Sequence, residues 1–308
     1  MSLHTVERKG IFAIVLASVL WGTTGTAASY SADVSPLAIG AFATGFGGIL
    51  MLITAWPGLK KDKAKLLAYP FLFIVGSACV AIYPLAFYSS MRLSGVAIGT
   101  VISLASAPFF AAVIECLYSK TRISSRWWFR FLIGAIGITL LAHGKMPGPL
   151  TISQGHVQEL GILLGLVAGL TYAGYSWVGK QLINRGVKAQ SSMAALFGGA
   201  ASLLVPSLLL TGDNLFATPI HITVSVYMAL VPMYAGYLLF GYGLTSVDAS
   251  NATLITLFEP VVATLLAILL LGEKFDMLGW VGMGMISLCL LLHSYPQTTA
   301  ARQSTRHR

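Results

Sequence analysis

The chain has 308 residues, of which 56% are hydrophobic and only 9% are charged, and its mean hydropathy is +0.80. A soluble domain carries about a quarter charged residues, so this composition excludes a soluble protein. The net charge is +9, and the basic residues lie in short loops between apolar runs. This pattern is typical of membrane topology and argues against nucleic-acid binding. The three cysteines lie in apolar runs without CxxC spacing, so neither a disulfide framework nor a zinc site is expected.

Ten apolar runs follow in chain order, each close to the about 20 residues that a helix needs to cross a bilayer. The first run follows two basic residues, as in a cleaved signal peptide, but the internal repeat described below needs it as the first span. The runs predict an all-α polytopic membrane protein. The predicted spans are 10–30, 35–55, 66–91, 95–118, 126–143, 159–180, 190–211, 220–243, 248–271 and 275–293.

Lysine and arginine are distributed unevenly between alternate connections. If the amino terminus lies inside, sixteen of the 19 fall on the inner side, and only Arg92, Lys145 and Lys274 fall on the outer side. Because cytoplasmic loops are enriched in positive residues, this distribution predicts that both termini are cytoplasmic.

The chain also repeats itself at a shift of 151 or 152 residues, which places Pro108 on Pro260 in the same order of spans. Five spans are an odd number, so the second copy must enter the membrane from the opposite side. Inverted repeats of this kind are typical of transporters, with the substrate site near the midplane between the copies. We therefore predict a first repeat over 1–150, a second over 151–295 and a basic cytoplasmic tail over 296–308.

One carboxylate and one proline stand together in the middle of the ninth span. A charged side chain at this depth costs at least about 2.5–3.5 kcal/mol, so Glu259 should face the bundle interior or water. Pro260 lacks an N–H and leaves the Thr256 carbonyl without its helical partner, and Pro108 does the same to Leu104. Helix breaks are therefore expected at both prolines. Glu259 is either a neutral packing residue or a group that couples transport or holds a substrate amine.

Other polar groups give weaker signals. Glu115 is the second carboxylate within a span, and we expect it to pair with Lys120 or Arg122 near the cytoplasmic end. The six histidines lie in loops or at span ends, and no HExxH, GxSxG or P-loop pattern stands in a supporting context. No cofactor, metal or catalytic residue is expected, so gradients would drive any transport.

Aromatic side chains lie in the middle of several spans. A tyrosine in lipid needs a hydrogen-bond partner, so these residues should point inward. We expect a central cavity lined by spans 1, 3, 4, 6, 8 and 9 that suits an aromatic or amphipathic small molecule. The alternative for each residue alone is packing. The expected substrate contacts are Trp21, Tyr83, Tyr172, Tyr234 and Tyr237, with Ser103 and Asn251 as polar anchors.

Two segments resemble the closing segment of an EamA domain, which belongs to the drug/metabolite transporter superfamily. The second copy, from Leu254 to Ile286, reads LITLFEPVVATLLAILLLGEKFDMLGWVGMGMI. The first, from Leu104 to Ser124, reads LASAPFFAAVIECLYSKTRIS. The first copy has Ala107 where the second has Glu259, so midplane carboxylate chemistry would belong to the second half alone.

Within that superfamily the chain is most similar to bacterial exporters of aromatic amino acids. The resemblance implies a ten-helix carrier, without enzymatic activity, that moves such amino acids or analogues outward across the inner membrane. The expected partners are a small-molecule substrate and the lipid bilayer, and no nucleic acid; the sequence leaves the oligomeric state open, with a monomer as one alternative. The alternatives are a carrier of other cargo, such as cationic drugs or nucleotide sugars, a channel, or an integral membrane enzyme.

Overall fold

The structure, a computed structural model, describes residues 3–144 and 155–294 and consists of ten helical segments joined by short loops. Two of the ten contain a non-α stretch. The segments are α1, Leu3–Gly22 continued by Thr24–Ser29; α2, Pro36–Leu67; α3, Pro70–Ser94; α4, Val96–Tyr118; α5, Ser125–His143; α6, Gly155–Asn184; α7, Ala189–Thr211; α8, Pro219–Met228, a π stretch Ala229–Gly236 and Tyr237–Gly243; α9, Ala249–Ile255, a 3-10 turn Thr256–Phe258 and Glu259–Leu271; and α10, Met277–Ser294.

The ten segments follow the ten predicted spans in order, and the all-helical fold class is as predicted. Within the described ranges, eight are long and apolar enough to cross a membrane, α5 and α10 being the exceptions. The number of crossings and the inverted relationship of the two halves stay predictions. Residues 145–154, around the predicted boundary between the repeats, and the predicted tail at 296–308 lie outside the described residues.

The two prolines expected to break their helices behave differently. At Pro260 the helix tightens into the 3-10 turn and restarts at Glu259, with the proline in the first turn of the new stretch. At Pro108, by contrast, α4 continues as one uninterrupted α-helix, so the expected break there is not seen. A proline removes one backbone bond, and a transmembrane helix tolerates that loss when its surroundings compensate.

The 3-10 turn gives the Thr256 carbonyl a new partner. In a regular helix it would accept from residue 260, which is a proline, but here the Glu259 N–H donates to it. The i to i+3 pattern of a 3-10 turn makes this possible. The 3-10 turn therefore satisfies the carbonyl that Pro260 leaves without its usual donor, and it fixes the position of the Glu259 backbone.

Helices cross at close distance where one of them carries glycine. A Cβ at Gly48 of α2 would clash with the Phe197 carbonyl oxygen of α7, and one at Gly169 of α6 would lie 2.8 Å from the Ser103 carbonyl oxygen of α4. Glycine at such positions lets transmembrane backbones approach. The close pairs α2–α7, α3–α6 and α4–α6 surround the central core, while α5 packs mainly on α10 beside it.

One end of the bundle, here called the basic end, holds the lysine-rich last turns of α2 and the α4–α5 connection with Lys120 and Arg122. Asp62 near the end of α2 accepts from the Lys188 N–H at the start of α7, at 3.1 Å. Near the end of α6, the Lys180 ammonium donates to the Leu244 carbonyl at the end of α8, at 2.9 Å. These contacts bring the ends of α2, α6 and α8 and the start of α7 together.

Candidate functional site

A cavity lies in the centre of the bundle and contains about 640 Å³ of space between atoms, its open part included. The part that is open to water-sized molecules is only about 50 Å³, well below the roughly 300–1,000 Å³ of sites that hold small organic molecules, so the helices must move apart for such a ligand to fit. Seven helices line the cavity. The lining residues are Trp21 and Thr24 of α1; Gly40, Ala43 and Thr44 of α2; Val80, Tyr83, Pro84, Phe87 and Tyr88 of α3; Tyr172 and Tyr175 of α6; Phe197 of α7; Met233 and Tyr237 of α8; and Glu259 of α9.

The depth of the cavity follows from where these residues stand in their helices. Thr24 is near the end of α1, Gly40 is near the start of α2, and Tyr88 is in the second half of α3. All three positions lie away from the basic end. The cavity therefore extends from the middle of the bundle toward the opposite end, while the basic end is closed by contacts between helices.

Aromatic rings form most of the cavity wall. The Trp21 ring centroid lies 4.7 Å from that of Tyr237 and 6.5 Å from that of Tyr172. Across α3, the Tyr83 ring lies 5.4 Å from Tyr172 and 5.7 Å from Phe87. Rings at these spacings pack edge to face or offset, which leaves flat apolar faces for a ligand ring.

The π stretch of α8 holds the Trp21 ring in place. The Trp21 indole N–H donates to the Pro232 carbonyl at 2.9 Å. A Cβ at Gly236, in the same stretch, would lie 2.7 Å from the indole nitrogen. One hydrogen bond therefore fixes the ring, and the lack of a side chain at Gly236 leaves the space that the ring occupies. Short π segments are frequent at functional sites.

Three tyrosine hydroxyls of the wall are used within the protein. Tyr172 donates to the Thr256 hydroxyl at 2.8 Å, and Thr256 in turn donates to the Thr253 carbonyl at 2.8 Å. The hydroxyls of Tyr175 and Tyr237 lie 2.8 Å apart. These bonds tie α6 to α8 and α9, so the wall residues are held in one arrangement.

The remaining polar groups of the cavity are available to a ligand. Over the described ranges, Glu259, Tyr83 and Tyr88 form no side-chain hydrogen bond or ion pair within the protein. Glu259 supplies the only carboxylate among the lining residues, and none of them is Lys, Arg or His. A lone carboxylate among aromatic faces and two hydroxyls can bind an ammonium group or a proton.

The backbone around Glu259 is closely packed. A Cβ at Gly22 of α1 would lie 2.9 Å from the Glu259 carbonyl oxygen and 2.6 Å from the Val262 side chain. α1 and α9 thus cross with little space at this point. The carboxylate is directed into the cavity from a rigid crossing rather than from a loop.

Three of the predicted contacts lie outside this cavity: Ser103, Tyr234 and Asn251 are not among its lining residues. Ser103 belongs to α4, which contributes no lining residue, and its buried hydroxyl has no partner within the described chain. Tyr234 packs against the central core, and Asn251 is partly buried in the first turn of α9.

The structure also adds lining residues that were not among the predicted contacts, including Tyr88, Tyr175 and Phe197. Tyr175 follows Tyr172 at a spacing of i, i+3, so helical periodicity alone could have placed both residues on the same face. Helices α2 and α7 carry no charge or polar cluster at their lining positions, so no comparable signal identified them. Their contribution depends on how closely the glycine-bearing helices pack.

The expectation for Glu115 is wrong. Its carboxylate does not pair with Lys120 or Arg122 but accepts from the Ser250 N–H at 3.1 Å and from the Ser250 hydroxyl at 2.6 Å. The start of a helix offers unpaired N–H groups and a positive dipole end, which suit a carboxylate better than a solvated lysine does. Glu115 therefore joins α4 to the start of α9 at the basic end.

Comparison with known proteins decides the family. The sequence model described as "EamA-like transporter family" matches residues 8–142 and again residues 159–295, which together make up most of the chain. The chain belongs to the EamA-like transporter family. It is thus a multi-pass membrane protein of a transporter family rather than an enzyme, as the sequence predicted.

Relatives of this EamA-like protein agree with the family. An uncharacterized transporter of Bacillus subtilis, YwfM, is 32% identical over 282 residues, covering 91% of this chain and 92% of the relative. A probable terminal-alkyne amino-acid exporter of Streptantibioticus cattleyicolor is 23% identical, covering 89% of each chain. A crystal structure superposes with a TM-score of 0.77 at 16% identity, covering 96% of this chain and 98% of the other, which shows a shared fold.

Proposed function

We propose that this EamA-like protein is an inner-membrane secondary carrier that exports small organic substrates by alternating access, with aromatic amino acids as the leading candidates. The observation that carries the proposal is the central cavity, where aromatic faces surround a single carboxylate without a protein partner. The 23% identical relative whose name gives an amino-acid substrate supports the same class. The orientation with cytoplasmic termini is part of the proposal.

In this mechanism the substrate ring lies between Trp21 and the Tyr83–Phe87 face, and the substrate ammonium binds the Glu259 carboxylate. A charged amine on an unpaired carboxylate relieves the cost of holding either charge at membrane depth. The hydroxyls of Tyr83 and Tyr88 are free to receive the remaining polar atoms. One carboxylate then binds either the substrate ammonium or a proton, which couples export to the proton gradient.

Alternating access requires the basic end to open while the far end closes. The structure has the closed basic end, where Glu115 bonds to Ser250 and Lys180 bonds to Leu244. We propose that these contacts separate when the cavity faces the cytoplasm. A rigid site between moving helices is the general arrangement of inverted-repeat carriers.

The test is flux of labelled phenylalanine in proteoliposomes, with and without an imposed pH gradient. Saturable flux that follows the gradient supports the proposal. Saturable flux of an unrelated solute, together with no phenylalanine flux, would contradict the substrate class. Currents far above carrier turnover would contradict a carrier.

A second candidate is a carrier of organic cations. It is favoured by the charge of the wall, because no cationic side chain is available to a substrate carboxylate. Phenylethylamine is phenylalanine without that carboxylate, so the two compounds separate the candidates. Stronger competition by phenylethylamine favours organic cations, and stronger competition by phenylalanine favours amino acids.

A further inference from the structure

A groove on the outer surface lies between the start of α5 and the end of α10. The Cys289 thiol near the end of α10 donates to the Arg130 carbonyl near the start of α5 at 3.2 Å, and Gly144 after the end of α5 lies against Gly279 near the start of α10, so the two helices are antiparallel neighbours. Because α5 begins directly after the basic α4–α5 connection, the groove lies at the basic end. It contains about 650 Å³ of space, its open side included, and is lined by Ser125, Arg126, Phe129, Arg130 and Leu292.

Two arginines stand one helical turn apart in this groove. Over the described ranges, neither Arg126 nor Arg130 has an ion pair or a side-chain hydrogen bond. Like charges at i and i+4 repel, so the pair destabilises the helix unless an anion lies between them. Guanidinium groups present planar, paired donors that match phosphate oxygens better than lysine does.

An apolar stripe continues from the arginines along α5. The exposed fractions of Phe129, Leu132 and Ile136 are 61%, 54% and 50%. These positions are spaced i, i+3 and i+7 and therefore share one face. On the opposite face Trp127 is buried and stacks on Phe131 with ring centroids 5.4 Å apart. The outer face of α5 is thus cationic at its start and apolar beyond it.

We propose that this groove is a binding site for an anionic phospholipid of the leaflet at the basic end. The headgroup phosphate binds between Arg126 and Arg130, and an acyl chain lies along Phe129, Leu132 and Ile136. A basic groove between membrane helices on the side of anionic lipids fits this ligand in charge and shape. The apolar stripe directly beyond the arginines favours a lipid over free phosphate, because free phosphate would contact the arginines alone.

The experiment is native mass spectrometry of the full chain in detergent, titrated with phosphatidylglycerol and, separately, with phosphatidylcholine. We expect saturable binding of the anionic lipid and at least tenfold weaker binding of the zwitterionic one. The double variant Arg126→Gln/Arg130→Gln should bind phosphatidylglycerol roughly 30-fold more weakly, from the typical contribution of two basic side chains near a membrane surface. The matched control Lys61→Gln/Lys63→Gln removes the same charge at the same end and should leave binding unchanged.

A second variant tests the proposal if Arg126→Gln/Arg130→Gln fails to fold. Arg126→Lys/Arg130→Lys retains the charge but loses the paired donors, and it should bind several-fold more weakly than the native chain. Thermal unfolding without lipid verifies that each variant is folded. Equal binding by the native chain and the Arg126→Gln/Arg130→Gln variant, or equal loss in the Lys61 and Lys63 control, would overturn the proposal. Displacement of the lipid by millimolar inorganic phosphate would also overturn it, because the site would then recognise the phosphate group without the acyl chain.

Discussion

The Glu115 carboxylate of α4 holds Ser250 at the start of α9 by two hydrogen bonds, at 3.1 Å to its N–H and 2.6 Å to its hydroxyl. α9 is the helix that carries Glu259 into the cavity. The contact at the closed basic end and the carboxylate of the site therefore belong to one helix. A movement of the start of α9 away from α4 would be transmitted to the cavity through a single irregular turn.

We expect Glu115→Ala to lower the free energy of unfolding by about 1.5–3 kcal/mol, the usual range for a hydrogen bond to a charged group. Ser250→Ala should cost less, because the backbone N–H remains. Thermal unfolding in detergent measures both variants and the double variant. Since the two residues share one contact, their effects should be less than additive by more than about 0.5 kcal/mol. Strict additivity would show that the contact carries no energy of its own.

Glu259→Gln should abolish the pH dependence of transport. Protons and the substrate ammonium compete for one carboxylate, so the apparent KM of the native chain should rise as pH falls on the side where substrate enters. Glutamine cannot take up the proton, so its KM should be high and flat with pH. The measurement is proteoliposome flux across a pH series. Glu159→Gln changes a solvent-exposed glutamate instead and should keep the native profile; an unchanged profile in Glu259→Gln would make Glu259 a packing residue.

Much of the fold could be predicted from the sequence because a bilayer restricts the choices. Each span must satisfy the hydrogen bonds of its own backbone within the segment, so each of the ten apolar runs is expected to form a helix. The same reasoning predicted a lone mid-span carboxylate and inward-facing rings at Trp21, Tyr83, Tyr172 and Tyr237, which the structure gathers around one cavity.

The parts that could not be predicted depend on contacts between distant segments. Ser103 was expected in the cavity because it is polar and mid-span, but polarity does not report which face of α4 meets α6. Glu115 was expected to pair with a nearby lysine, whereas its partner lies 135 residues away at a helix start. The π stretch around Pro232 could not be predicted from its proline either, because Pro108 lies in a helix that remains regular.

Trp21→Phe should weaken binding of an aromatic substrate several-fold while the protein remains folded. Phenylalanine keeps a ring in the wall but loses the 2.9 Å hydrogen bond to the Pro232 carbonyl, so the ring is no longer held. Competition flux in proteoliposomes gives the affinity. As a matched control, Trp128→Phe changes a partly exposed tryptophan of α5 and should leave affinity unchanged. Equal affinities for the native chain and Trp21→Phe would contradict a role for the indole N–H.

Pro260→Ala should reduce transport more than Pro108→Ala does. Alanine at 260 restores an N–H that can donate to the Thr256 carbonyl, so the 3-10 turn can relax into a regular helix. That change rotates Glu259 relative to the cavity and disturbs Thr256, which accepts from the Tyr172 hydroxyl at 2.8 Å. Pro108 stands in a helix that is already regular, so its replacement should alter flux by less than about twofold while helix propensity improves. Flux and thermal stability of the two variants, measured side by side, test this. If Pro260→Ala kept native flux, the irregular turn would have no role in placing the carboxylate.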